Sequence, residues 1–287
     1  MPKTFVLAPD SFKESMTAQQ ACQAMQRGLQ HIFPDAQYLH VPMADGGEGT
    51  VDALIAAAHG EMVSCSVSGP FIEQKVETYF GLIDEGQTAV IEMAKANGIH
   101  LLEPSERNPA LTSTFGTGEM IQLALDHGVK KIIIGLGGSV TNDAGMGMAQ
   151  ALGVRFLDVT GKEVVQGGGQ LHQISQIDLS NLDTRLAHVE MLIASDVNNP
   201  LYGEHGAAYV FAPQKGANPT MVEQLDQNLK YFAGLVKSQL QVDYAHIAGA
   251  GAAGGLGFGL MAFAGATLCS GVEIVIEETR LEIGRAH

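Results

Sequence analysis

Basic residues are scarce in this chain. Sixteen Lys and Arg stand against 31 Asp and Glu, which leaves a net charge of −15. A nucleic-acid binder needs a basic stripe, and none is present. Cysteine is almost absent: Cys22, Cys65 and Cys269 are scattered and form no CxxC pair, which excludes a disulfide framework and a zinc site. They are expected as buried thiols. No apolar run is both long and uncharged enough to span a bilayer, and Met1–Pro2–Lys3 leads straight into a strand. The expectation is a cytoplasmic protein without a signal peptide or membrane partner. The histidines show no metal-ligand spacing, and neither a Gly-x-Ser-x-Gly elbow nor a Cys–His nucleophile pattern occurs. In so acidic a chain, anionic substrates must be held by local devices: a few lysines, helix N-termini and a metal ion.

What is present is apolar and periodic. Apolar residues make up 46% of 287, enough for one large α/β domain or two. Lys3–Ala8 reads as a strand. Thr17 and Gln20 form a capping box, and Ala21, Met25, Leu29 and Ile32 recur at helical spacing. Gln37–Val41 is a second strand and Gly49–His59 a second helix. Met62–Val67, Val76–Leu82 and Ala89–Met93 read as strands, with turns at Gly69–Pro70 and Glu85–Gly86. Helix Thr117–His127, strand Lys131–Leu136, helix Ala144–Leu152 and strand Glu190–Ser195 follow. Asn218–Leu240 is the clearest helix, with Asn218 as cap and Pro219 at its first turn. Gly249–Gly259 runs into a helix ending near Gly265. Val272–Glu278 fits helix and strand equally. No internal repeat, charged tail or linker interrupts the chain.

Four segments share one design, in which a strand ends and small or polar residues follow. In open α/β sheets that is where ligands bind. In Ala8-Pro9-Asp10-Ser11-Phe12-Lys13, Asp10 suits a Mg²⁺ ligand or a base and Lys13 a phosphate contact; a solvated turn is the plain alternative. In Ala44-Asp45-Gly46-Gly47-Glu48-Gly49-Thr50, Asp45 and Glu48 suit a ligand or, equally, the start of a helix, where acids stabilise the dipole. Gly135 to Gly145 follows a buried strand and opens a helix. Its Gly137, Gly138, Ser139, Thr141 and Asn142 suit an anion, although it is not a Walker A loop. Ser195-Asp196-Val197-Asn198-Asn199-Pro200 offers Asp196 as metal ligand or base, against an Asx-turn. Pro213-Gln214-Lys215-Gly216 adds a lysine. Gly249 to Gly257, including Gly254 and Gly255, is a second glycine loop, which close helix packing alone also explains. Two glycine loops, strand-end acids and placed lysines suit phosphoryl transfer, which needs positioning and charge neutralisation more than a covalent nucleophile.

These same motifs, in this order, resemble the glycerate kinase I family from Lys3 to about Leu281. The resemblance rests on Ala8–Lys13, Ala44–Thr50, Thr117-Gly118-Glu119, Gly137–Asp143, Asp196–Leu201, Pro213–Ala217 and Gly249–Gly255. It implies an α/β fold of two unlike domains, one flavodoxin-like and incomplete here, with a cleft between them. It also implies ATP-dependent phosphorylation of D-glycerate with Mg²⁺. The expected division is residues 1–60 as part of the flavodoxin-like domain, 61–281 as the second domain, and 282–287 as a tail outside the family, which itself continues further.

The expected catalytic residues are Asp10, Lys13 and Asp196, with Asp10 and Asp196 also as metal ligands. Gly137, Gly138, Ser139, Thr141, Asn142, Lys215, Gly254 and Gly255 are expected at the nucleotide. Ser11, Asp45, Glu48 and Asn198 are expected at the substrate. Self-association as a homo-oligomer is compatible with all of this. The alternative is a folded but inactive remnant that self-associates through residues 1–60. A nicotinamide-dependent dehydrogenase fits poorly.

Overall fold

The computed structural model describes residues 3–10, 12, 15–44, 47 and 49–278. In chain order the elements are β1 (Thr4–Leu7), α1 (Ala18–Gln30), β2 (Gln37–His40), α2 (Thr50–Ala58), β3 (Glu61–Ser68), β4 (Lys75–Ile83) and β5 (Thr88–Glu92). There follow α3 (Ala94–Asn97), α4 (Phe115–Asp126), β6 (Lys131–Gly135), α5 (Met146–Ala151), β7 (Arg155–Leu157), β8 (Gln176–Asp178) and β9 (Glu190–Ala194). The series closes with α6 (Ala207–Phe211), α7 (Pro219–Leu240), α8 (Ala252–Ala264), β10 (Thr267–Cys269) and α9 (Gly271–Glu278). The ambiguous segment 272–278 is thus a helix. The capping box forms as read: Gln20 N–H donates to Thr17 Oγ1 at 3.2 Å and Thr17 N–H to Gln20 Oε1 at 2.9 Å.

The main sheet has the order β10-β9-β6-β5-β4-β3. β5, β6, β9 and β10 run parallel, and β3 and β4 extend the sheet as an antiparallel hairpin. The parallel strands are covered on both faces, which is why Ile132–Ile134 reads as an unbroken apolar run. On one face Ile91, Ile132, Ile134 and Ile193 join the core with Met120 and Ile121 of α4 and Leu256 and Leu260 of α8. On the other, Val90, Ile133 and Ala194 pack with Val51 and Leu54 of α2 and with Ile274 and Val275 of α9. Helix α2 lies within residues 1–60, yet its apolar stripe belongs to the core of the main sheet.

A second, parallel two-stranded sheet pairs β1 with β2, Val6 opposite Leu39. Helix α1 backs it: Cys22 Sγ donates to the Leu7 carbonyl at 3.3 Å, and Gln26 meets His40 at 2.6 Å. Phe5 stacks on Tyr38, with Phe33 beside it. On the opposite face Val6 and Leu39 are 38% and 50% exposed. Of the cysteines only Cys22 is buried; Cys65 and Cys269 are half-buried, contrary to expectation, because they sit on the outer strands β3 and β10. All three are free thiols.

Candidate active site

The exits of β1 and β2 remain joined past the strands: Val41 N–H donates to the Leu7 carbonyl at 2.8 Å and Met43 N–H to the Pro9 carbonyl at 3.0 Å. This sets Asp10 beside Met43 on one wall of a cleft of about 420 Å³. Phe12, Thr17 and Gln20 continue that wall, and Gly49, Asp52 and Lys95 form the other. The cleft therefore lies where the two-stranded unit meets α2 and the carboxyl end of β5, the edge at which parallel sheets bind ligands.

The far wall is built on Glu92, the last residue of β5, which is 3% exposed. Its Oε1 accepts the Val51 N–H at 2.7 Å, so an acid from the sheet caps the first turn of α2. Burial pushes the Glu92 carboxyl above its usual range, although Lys95 and the backbone bonds to Val51 and Gly49 pull the other way. One helical step on, Lys95 Nζ lies 3.8 Å from Glu92 Oε2 and 3.7 Å from Asp52 Oδ2. Nζ donates to the Tyr79 hydroxyl at 2.7 Å and sits 4.0 Å from the centre of its ring, while that hydroxyl donates to Asp52 at 2.8 Å. Burial works to lower the Lys95 pKa, but Glu92, the Tyr79 bond and Asp52 outweigh it, and the pKa is raised. Sequence reading missed Glu92, Lys95, Asp52 and Tyr79. The available signal was a fifth strand end of the same design, Glu92-Met93-Ala94-Lys95.

Of the residues expected from sequence, Asp10 lines the cleft. Ser11, Lys13, Asp45 and Glu48 lie outside the described residues. Asp196 follows β9 and is exposed; its Oδ1 accepts the Gly271 N–H at the start of α9 at 3.2 Å, and it does not line the cleft. Asn198 is exposed and also away from the cleft lining. Among the described residues no three His, Cys, Asp or Glu side chains form a metal cluster.

The glycine loop after β6 divides in two. Gly137 and Gly138 reach solvent, and an added Cβ at Gly138 would lie 3.3 Å from Ala94 Cβ, so the loop touches α3 next to Lys95. Beyond it the chain turns inward. Val140 N–H donates to Asn97 O at 3.1 Å, and Ser139, Thr141, Asn142 and Asp143 are buried. The N–H groups at the start of α5 are occupied by the chain itself: Asp143 accepts from Gly145 at 3.1 Å and Gly147 at 3.2 Å, and from Thr114 N and Oγ1 at 2.9 Å.

Lys215 is fully buried and donates to Ser139 Oγ and the Thr141 carbonyl, both at 2.7 Å, which ties it to this loop rather than to the cleft. Burial lowers its pKa to about 7, with Asp143 opposing. Asn142 is buried with neither amide atom hydrogen-bonded among the described residues. Gly254, at φ 69°, and Gly255 pack against the same loop; a Cβ on Gly254 would collide with the Thr141 carbonyl. The two glycine loops thus brace each other, because only glycine allows both that φ and that approach.

A model of the glycerate kinase family matches residues 5–286, which includes all but the last residue of the stretch set apart at 282–287. The chain belongs to the glycerate kinase family. It is 50% identical to the glycerate kinase of Haemophilus influenzae over 96% of this chain and 73% of that protein. It is 50% identical to the glycerate 2-kinase of Escherichia coli over 96% and 72%. A Salmonella typhimurium LT2 protein of known crystal structure superposes with a TM-score of 0.94 at 48% identity, covering 99% of this chain and 75% of that one. The chain spans about three quarters of the length of these relatives. The mixed α/β fold expected for a member of this family is the one observed.

Proposed function

We propose that this chain is an enzyme that transfers the γ-phosphoryl group of ATP to D-glycerate, and that the cleft around Asp10 and Lys95 holds the acceptor. The observation that carries the reading is the extent of the family match. It runs from residue 5 to residue 286 and so takes in every segment that lines the cleft, at about half identity to named glycerate kinases. The relative named glycerate 2-kinase favours the 2-hydroxyl as acceptor.

In this reading the glycerate hydroxyl oxygen attacks the γ-phosphorus, the bond from that phosphorus to the β–γ bridging oxygen breaks, and ADP leaves. Asp10 takes the hydroxyl proton. Gly137 and Gly138 reach solvent, and Gly138 lies against Ala94 of α3, next to Lys95, which supports placing the nucleotide phosphates at the β6 exit. Ser139, Thr141, Asn142, Lys215, Gly254 and Gly255 then act from behind, fixing the shape of that loop. Mg²⁺ is the ion proposed, since it binds through one or two carboxylates together with substrate phosphates. Held with the nucleotide phosphates, the ion would neutralise charge on the transferring group, which leaves the role of base to Asp10. No described helix is long and apolar enough to cross a membrane, and a cytoplasmic site of action is proposed on the substrate's account.

The test is ADP release by the purified chain with ATP, Mg²⁺ and D-glycerate. Release should depend on glycerate, stop with excess EDTA and return with added Mg²⁺. Asp10→Asn should lower kcat by about 10²-fold or more. Glycerate-independent ADP release, or none, counts against the reading.

A further inference from the structure

We propose that Lys95 binds the carboxylate of the acceptor, and so makes a short hydroxy acid rather than a neutral polyol the substrate of this cleft. The inference rests on the glycerate kinase reading and names the residue that would set its substrate class.

Among the described residues lining the cleft, Lys95 is the one Lys or Arg. An ammonium group carries three donors. One is directed to the Tyr79 hydroxyl at 2.7 Å. Asp52 and Glu92, at 3.7 and 3.8 Å, are too distant for hydrogen bonds, so they favour the charged form of Lys95 without occupying its other donors.

Each acid is also engaged elsewhere. Glu92 holds the Val51 N–H, and Asp52 accepts the Tyr79 hydroxyl. The site is thus built to keep Lys95 charged and fixed in place, with two donors that no described residue occupies and that a ligand can take. The ammonium sits over the Tyr79 ring, and with 17% of the side chain exposed, much of the hydration of Nζ is already removed. A charge-assisted bond to a carboxylate is stronger there than at an open surface. The wider field cannot supply this attraction, since the chain carries a net charge of −15. A cleft of about 420 Å³ also suits a small acceptor.

The experiment compares the wild-type chain with Lys95→Met, Lys95→Gln and Lys95→Arg. Initial rates are measured against D-glycerate and against ATP, and thermal shifts are measured with D-glycerate and with glycerol, which lacks the carboxylate. Loss of a charged hydrogen bond predicts a rise of about 10- to 100-fold in KM for glycerate in the Met and Gln variants. KM for ATP should stay within about twofold, and Arg should restore part of the loss. In the wild type, D-glycerate should raise Tm and glycerol should not; the Met variant should lose the glycerate shift.

An unchanged KM for glycerate in a folded Met or Gln variant overturns the proposal. So does a parallel rise in KM for ATP, or a wild type that glycerol stabilises as well as glycerate does. A wild type that binds D-glycerate through Lys95 but transfers no phosphate to it would sink the kinase reading and leave the carboxylate assignment standing. A wild type that D-glycerate does not shift would sink the carboxylate assignment.

Discussion

At the scale of single residues, Lys215 makes the firmest physical statement after Lys95. It is buried against Ser139 and Thr141, and its pKa is lowered to about 7. In the unfolded chain a lysine keeps its proton to about pH 10.4. Between those values the unfolded state holds a proton that the folded state has released, so stability from this group rises with pH and is lost as pH falls toward 7. The slope has a ceiling of about 1.4 kcal/mol per pH unit. Urea unfolding at pH 7 and 9.5 should show the wild type gaining stability relative to Lys215→Met across that interval. Equal changes in both proteins would mean that Lys215 is not desolvated as described.

The same residue shows what a sequence can and cannot reveal about a site. Its neighbourhood to the glycine loop was legible, because both motifs stand out against a chain poor in basic residues. Its inward direction was not, because burial is decided by residues far away in the chain: Asn97 and Gly254 turn that loop inward. Lys95 went unread for the converse reason. An acid and a lysine three apart look like an ordinary surface pair until Asp52 and Tyr79 are brought to them.

At the scale of elements, local chemistry was a good guide wherever it was self-contained. The Thr17 capping box and the Asn218 cap, whose side chain accepts the Met221 N–H at 2.9 Å, appear as read. The short pieces α3, α6, β7, β8 and β10 were not legible, since three to five residues carry too little periodicity and are held by what they pack against. Glycines separate by the same logic. Gly234 on α7 is exposed with open space around it, so Gly234→Ala should stabilise the protein by about 0.5–1 kcal/mol. Gly254→Ala should instead cost several-fold more, or prevent folding, because the new Cβ meets the Thr141 carbonyl at a positive φ. Denaturation midpoints of the two variants moving in the same direction would contradict this account of the braced loops.

At the scale of the whole molecule, the core does not divide at residue 60. Leu54 of α2 is fully buried and shares its cluster with Val90 and Ile133 of the main sheet. Leu54→Ala should therefore destabilise the main unit by about 2–5 kcal/mol, and near-UV and far-UV signals should fall together. Val6→Ser, on the uncovered face of the two-stranded sheet, should cost under about 0.5 kcal/mol. A Leu54→Ala variant whose main unit melts as in the wild type would restore the division at residue 60 and detach the far wall of the cleft from the sheet. That wall matters because Glu92 and Lys95 are aligned by α2, and through them the cleft acquires its charge.

The proposed phosphorylation of D-glycerate in the cleft between Asp10 and Lys95 is followed by ³¹P NMR of the running reaction. With ATP, Mg²⁺ and D-glycerate, the γ-phosphate resonance should decline as a phosphomonoester resonance grows in equal amount, coupled to the proton on the carbon that carries the phosphorylated hydroxyl. The same spectrum with Lys95→Met at low glycerate should show that growth slowed by about 10- to 100-fold and recovering as glycerate is raised. Inorganic phosphate growing in place of the phosphomonoester, or no change in the ATP resonances with the wild-type chain, would contradict the account.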